Sequence, residues 1–444
     1  MAIHPIEFRY GRDSVKSIFS EENRLQRMLD VEAALARAHA AVGNIAKKDA
    51  ESISKKSNLD FVKVARVNEI EKVTNHDVMA LVKALSEQCG TSGGFVHLGA
   101  TSNDITDTAL ALQIRDYIKL LKENLNKLKH NLLTQAKAHK NTVCIGRTHG
   151  QHAVPTTYGL KFGIWACEVQ RHLDRLDECK KRILVGKMSG AVGTQAALGK
   201  HAIKIQEFVM KDLGLGVPLA TNQVLQRDRL AEFMMLMALV AESLNKFATE
   251  IRNLQRTEIG EVSEGFGKKQ VGSSTMPHKR NPIYAERICG ISRVIRADAL
   301  ASLDNIPLWH ERDLTNSSCE RIIIPEACIL LDYTLELSNN LIANLAFNKE
   351  NIKRNIDMSQ GRIMAESVMI RLVEKGMDRQ EAHELVRDCA MESYSNSKEF
   401  RTVLERNSKI TGLLSSRELE SALNPQAYIG TSIQQVERIL KELK

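Results

Sequence analysis

The stretch from Gly260 to Pro282, GEVSEGFGKKQVGSSTMPHKRNP, gathers groups that move protons and bind anions. Ser273, Ser274 and Thr275 supply hydroxyls, His278 an imidazole, Lys279 and Arg280 cations, and Asn281 an amide. Gly260, Gly265, Gly267 and Gly272 give the backbone the freedom needed by a loop that closes over a ligand and reopens. Pro277 and Pro282 stiffen the far end and exclude helix there. Anion binding beside a proton transfer is the chemistry this composition suits. A solvated connection between helices is the plainer alternative.

Three other polar segments carry histidines. In Asn75-His76-Asp77 a carboxylate stands ready to orient an imidazole and hold its tautomer. In FVHLGATSNDITD, residues 95–107, His97 precedes Thr101 and Ser102, where a long helix begins. Hydroxyls and N–H groups at a helix start bind carboxylate or phosphate, and the same residue types also serve as plain caps. In GRTHGQHAVPTTYG, residues 146–159, Gly150 and Pro155 break the helical pattern around Arg147, Thr148, His149, Gln151, His152 and Thr156. His149 beside Gly150 can approach a substrate closely. An imidazole, with an ordinary pKa of about 6.5, can donate a proton to a departing nitrogen. A structural or solvated histidine is the alternative in each segment.

The elements that must position these groups read as helices. Ser20 to Val42 opens with a serine cap and an acidic first turn and ends at Gly43. A second helical stretch covers roughly residues 61–88. From Asp104 to Lys140 no Gly or Pro occurs, and Leu110, Ile114, Ile118, Leu121, Leu125, Leu128, Leu132 and Ala136 mark one apolar stripe. At about 1.5 Å per residue that helix is roughly 55 Å long. Asn222–Ile259 and Glu326–Gln360 are similar runs, and a shorter one lies near Ile164–Val185. Helices of this length must pack side by side, which predicts an all-α, elongated multi-helix bundle. Three regions are expected: a helical N-terminal domain at 1–103, a central long-helix bundle at 104–346 carrying the 260–282 loop, and a helical C-terminal domain at 347–444. Met234, Met235, Leu236, Met237, Leu239 and Val240 are apolar almost all round, which points to burial against other copies in an oligomer, with core packing within one chain the alternative.

Composition narrows the function. The 444 residues hold 62 basic and 54 acidic side chains, a net charge of +8, interleaved without a basic tail or aromatic-bearing basic run. This favours small anionic substrates over nucleic acid. Eight scattered cysteines lack metal spacing, so reduced thiols in a cytoplasm are expected and no metal site is. No phosphate-cradling P-loop or cofactor motif occurs, and no apolar run approaches membrane-spanning length.

SSTMPHKRNP with the Gly before it resembles the signature loop of the fumarase and aspartase superfamily, whose members cleave C–N or C–O bonds next to a carboxylate. THGQHAVPTT, His278 after Met-Pro, the Asn75-His76-Asp77 and His97 segments, QVLQRD at 223–228 and RDLTNSSCER at 312–321 together resemble its adenylosuccinate lyase family. The resemblance runs from Arg9-Tyr10 to about residue 360. It implies β-elimination of fumarate from adenylosuccinate and from the succinyl-carboxamide ribotide, without metal or organic cofactor, by a homotetramer whose sites draw on several subunits. By motif position it makes Ser273 the base, with Ser274 the nearest rival, and His149 the acid, with His76 close to the acid and Asn75, His76 and Asp77 among the substrate-binding residues. Lys279 and Asn281 then bind substrate carboxylate, Arg280 is a further substrate-binding residue, and Thr101, Ser102, Gln223 and Ser274 hold the succinyl part. Arg9, Tyr10, Arg312, Ser317 and Arg321 take the nucleotide phosphate and ribose, with His97 in support. Arg287 departs from the family pattern, which commonly has Asn there. Competing readings are a carboxymuconate cycloisomerase, against which Gly150 and the Asn75-His76-Asp77 segment argue, and a catalytically silent scaffold.

Overall fold

The computed structural model describes residues 3–267 and 273–443, so Gly272 of the 260–282 loop lies outside the described residues. The fold is all-α: nineteen α-helices carry it, with two short antiparallel ladders among the described residues. Ser20 caps the Glu21–Ala41 helix by accepting the Asn23 N–H at 3.2 Å, and the chain leaves this helix through Gly43 at φ +79°. The 37-residue Ser102–Ala138 helix buries the predicted stripe from Ile114 to Ala136, with Leu110 half-buried. The other long helices are Tyr158–Ile183, Asp228–Leu254, Ile283–Leu303 and Thr315–Ala343. Among the described residues no helix is long and apolar enough to cross a membrane.

Four local features differ from the expected pattern. The 61–88 run is two helices, Val64–Thr74 and Asp77–Cys89. Asn75 turns left-handed at φ +51° to close the first, and His76 opens the second by accepting the Met79 N–H on Nδ1. The helix expected from Asn222 starts only at Asp228, because the Asn222 side chain accepts the Val224 N–H and Asp107 accepts that of Leu225. The helix expected from Glu326 instead begins at Thr315, runs through Pro325 and stops at Ala343, after which Ala346–Phe347 pairs with Val262–Ser263. Finally, the break at 146–159 contains a β-hairpin, Val143–Thr148 against Gln151–Thr157.

The chain divides into two compact units. The first comprises residues 1–126, 172–245 and 289–336, and the second residues 127–171, 246–288 and 337–444. In the first, Leu29, Leu35, Leu81, Leu85, Ile105 and Val209 belong to one buried cluster. In the second, Val368, Leu372, Phe400, Leu404 and Leu419 form the centre of the C-terminal segment. Close backbone approach in the second unit fixes where the hairpin feeds its helix: a Cβ on Gly159 would stand 2.4 Å from Lys140 Cα and 2.8 Å from Ala136 O. Gly159→Ala is therefore expected to cost about 1–3 kcal/mol of stability. Thermal denaturation checks this, and an unchanged midpoint would show that the backbone there yields freely.

Candidate active site

In the first unit, two carboxylates at the start of the Ser102–Ala138 helix organise the polar segments. Asp104 is fully buried and accepts the Thr101 N–H at 2.9 Å, the Ser189 N–H at 2.8 Å and the Gly190 N–H at 3.0 Å. Its ionic partner is the equally buried Lys187 ammonium. The turn that presents Thr101 and Ser102 is thereby fastened to the 187–190 strand of chain. One helical turn on, Asp107 accepts the Leu225 N–H and two N–H groups of Arg227 at 2.9–3.0 Å, which seats the segment carrying Gln223. Burial pushes the Asp107 carboxyl up, but the Arg227 guanidinium outweighs burial and holds it below its ordinary value. Gln223 is held from both ends: its amide donates to Ala191 O at 2.8 Å and its oxygen accepts from Arg312 at 3.0 Å.

The nucleotide-side candidates lie in this same unit. Asp77 binds Arg321 at 2.6 Å and Arg24 at 3.0 Å. Burial raises the Asp77 carboxyl and the two guanidiniums outweigh it, so it titrates below its ordinary value. Arg321 is thus brought to Asp77 and shares its charge with it. Burial lowers the pKa of Arg312. Arg9 donates to the Tyr10 hydroxyl at 3.1 Å, and the Tyr10 ring lies 5.8 Å from that of Tyr333. Ser317 sits in the first turn of the Thr315–Ala343 helix, and His76 is exposed at its helix cap. His97, left-handed at φ +63°, is clamped by buried Glu32, which accepts its backbone N–H at 3.1 Å and faces Nδ1 at 2.6 Å.

The second unit carries both proton-transfer candidates. Register in the hairpin leaves His149 and Gly150 as a two-residue turn, with φ +53° and +74°. Positive φ at both positions is what a tight hairpin of right-handed twist requires. His149 is exposed at the tip, and its imidazole has no hydrogen-bonding or ionic partner among the described residues. The loop is closed at its stem by Gln255, which accepts the Glu264 N–H at 2.9 Å and donates to Arg280 O at 3.0 Å. Glu264 accepts the N–H groups of Tyr284 and Ala285 at the start of the next helix, and burial holds its carboxyl above the ordinary value. Beyond this stem residues 274–280 are exposed, and Ser273 and Asn281 are half-buried. Ser273 Oγ accepts the N–H groups of Met276 at 3.0 Å and Thr275 at 3.3 Å, while Ser274 Oγ stands 3.5 Å from the Thr275 hydroxyl. The Lys279 ammonium has no partner among the described residues. Arg280 stacks over Phe266 at 5.0 Å.

The reading of motifs missed the residues that hold these groups: Glu32, Asp104, Asp107, Lys187, Arg227 and Glu261, whose carboxylate accepts from Arg147 and from the Tyr158 hydroxyl at the hairpin. One signal was present. Lys187 is the lone charge in the otherwise small and apolar run LVGKMSGAVG, and a lysine in such a run needs a carboxylate. The hairpin left a trace in the turn-forming His149-Gly150 pair, with Val143, Cys144 and Ile145 before it and Val154 after it.

The long helices, the serine-bearing loop and the histidine-tipped hairpin belong to a lyase of the fumarase and aspartase superfamily, as the matches show. A family model described as Lyase matches residues 7–297, and one described as Adenylosuccinate lyase C-terminus matches residues 361–439. The chain is 55% identical to adenylosuccinate lyase from Methanothermobacter thermautotrophicus, covering 100% of this chain and 99% of that one. It is 54% identical to adenylosuccinate lyase from Pyrococcus abyssi, covering 99% and 98%. Among solved structures, 3-carboxy-cis,cis-muconate lactonizing enzyme from Pseudomonas putida superposes with a TM-score of 0.89 at 34% identity, covering 99% of this chain and 98% of that one. The chain belongs to the adenylosuccinate lyase family.

Glu32 also sets a pH signature. Burial opposes protonation of His97, but Glu32 outweighs it and Asp104 adds to it, so its pKa is raised. A raised imidazole contributes stability that is full below the unfolded value of about 6.5 and is lost as pH rises through the folded value. The stability advantage of the native protein over His97→Gln is therefore expected to be largest below about pH 6.5 and to shrink as the pH is raised above it. Urea unfolding across a pH series rising from below about 6.5 checks this, and a constant difference would contradict a raised His97.

Proposed function

We propose that this chain eliminates fumarate from adenylosuccinate, giving AMP, and from succinyl-aminoimidazole carboxamide ribotide, giving the aminoimidazole carboxamide ribotide, as a cytoplasmic enzyme of purine biosynthesis. The observation that carries the reading is near-full-length identity of 54–55% with enzymes named adenylosuccinate lyase. The local geometry agrees with it. Two backbone N–H groups aimed at Ser273 Oγ favour the charged, basic form of that oxygen. On this reading Ser273 takes the Cβ proton and the electron pair moves toward the neighbouring carboxylate. Lys279 and Asn281 stabilise the charge that develops there, with Arg280 adding a further cation. The C–N bond then breaks, and His149 delivers a proton to the departing nitrogen.

Thr101, Ser102, Gln223 and Ser274 are assigned to the succinyl part. Arg9, Tyr10, Arg312, Ser317 and Arg321 take phosphate and ribose, for which the arginine fork is suited. Asn75, His76 and Asp77 serve beside the acid, and His97 on the phosphate side. Sites are shared within a homotetramer. Exposed apolar side chains on three helices of the first unit support assembly: Met235, Leu239, Val294, Leu300 and Ile322. The second reading, a cycloisomerase, has behind it the muconate lactonizing enzyme's 34% identity and is not favoured beside 54–55% identity with enzymes named adenylosuccinate lyase.

Incubation with adenylosuccinate and a chelator is expected to release AMP and fumarate, and carboxymuconate is expected to remain unchanged. His149→Ala and Ser273→Ala should each lower kcat by about 10²–10⁴-fold while still assembling. Turnover of carboxymuconate in place of adenylosuccinate would replace the proposed function with the second reading.

A further inference from the structure

Glu261 stands at the root of the signature loop with its side chain shut off from water. Its carboxylate accepts a guanidinium N–H of Arg147, the Tyr158 hydroxyl and, at 2.8 Å, the Asn355 amide. The backbone is fixed as firmly: its N–H donates to Leu254 O at 3.0 Å, and its carbonyl accepts the Asn348 N–H at 2.9 Å. All of these residues belong to the second unit.

The partners occupy significant places. Arg147 lies two residues before His149 on the first hairpin strand, and Tyr158 follows the second strand directly. One carboxylate therefore holds both legs of the hairpin whose tip is His149. The tip has no tether of its own, since the His149 imidazole is unpartnered among the described residues and the turn beneath it is only two residues long. With water excluded, no solvent molecule can replace a lost partner at Glu261, so each of its bonds is enforced.

We infer that Glu261 is a positioning residue for the proton donor. Its side chain sets where the His149 tip stands, while its backbone roots the loop that carries Ser273, so the two reactive segments of one chain share a single anchor. The inference rests on His149 being the acid of the proposed lyase reaction.

A double-mutant cycle tests it. Glu261→Gln keeps the side-chain shape but replaces one acceptor oxygen with an N–H₂ donor facing donors. It should lower kcat about tenfold or more, with KM changed less than about threefold, because a small displacement of a proton donor is costly. In a His149→Ala background the same change should alter kcat less than about twofold, since the group it positions is gone. Equal loss in both backgrounds would overturn the inference and leave Glu261 a support of the fold alone. Should Glu261→Gln fail to assemble, Tyr158→Phe removes one donor and leaves the ion pair. It should show the same background dependence at about threefold, and its absence would equally overturn the inference. Native protein without lyase activity would instead defeat the proposed function, whereas active native protein matched by Glu261→Gln would defeat only this inference.

Discussion

A carboxylate shut away from water must find its donors in the protein, and this demand governs how the chain's polar breaks are held. Asp104, Asp107 and Glu261 are all buried, and each collects donors from segments distant in sequence. Asp104 draws in Thr101, Lys187, Ser189 and Gly190; Asp107 draws in Leu225 and Arg227; Glu261 draws in Arg147, Tyr158 and Asn355. Removing one partner from a buried pair typically costs about 3–5 kcal/mol. A break held in this way has one conformation available to it. The helices supply length and core, and the buried carboxylates supply the fixed points from which exposed groups project.

The reactive groups themselves are at the other extreme. His149 and Lys279 have no partner among the described residues, and residues 274–280 are exposed. The contrast assigns rigidity to the anchors and freedom to the tips. The cations proposed for the nucleotide side are less free: Arg321 is already paired with Asp77 and Arg312 with Gln223. A phosphate binding there would compete with Asp77 for Arg321, which is one physical route by which an acidic neighbour tunes affinity for an anion.

What the amino-acid order made legible follows from local physics. The apolar stripe of the Ser102–Ala138 helix, the Ser20 cap and the glycine- and proline-bounded loop all depend on neighbours within a few residues. The hairpin was read only as a break, because its strands are short and its His149-Gly150 turn signals equally well a simple kink. The split at Asn75 was missed because an asparagine inside a helical run is unremarkable until it turns left-handed. Asn222–Arg227 lacks Gly and Pro yet stays out of the helix, held by Asp107 from far away in sequence. The candidate tips were visible as motifs, whereas their anchors were not. Glu32 and Glu261 look like ordinary surface acids until folding buries them beside His97 and Arg147.

On the proposed reading, segments anchored within each chain are completed into a site by other chains. Mixing His149→Ala protein with Ser273→Ala protein, under conditions of demonstrated subunit exchange, measures this most directly. Activity well above that of either variant alone is the predicted result, because some mixed sites would then receive an intact histidine from one chain and an intact serine from another. Proven exchange without any recovery would contradict the shared site and require each chain to supply both groups itself.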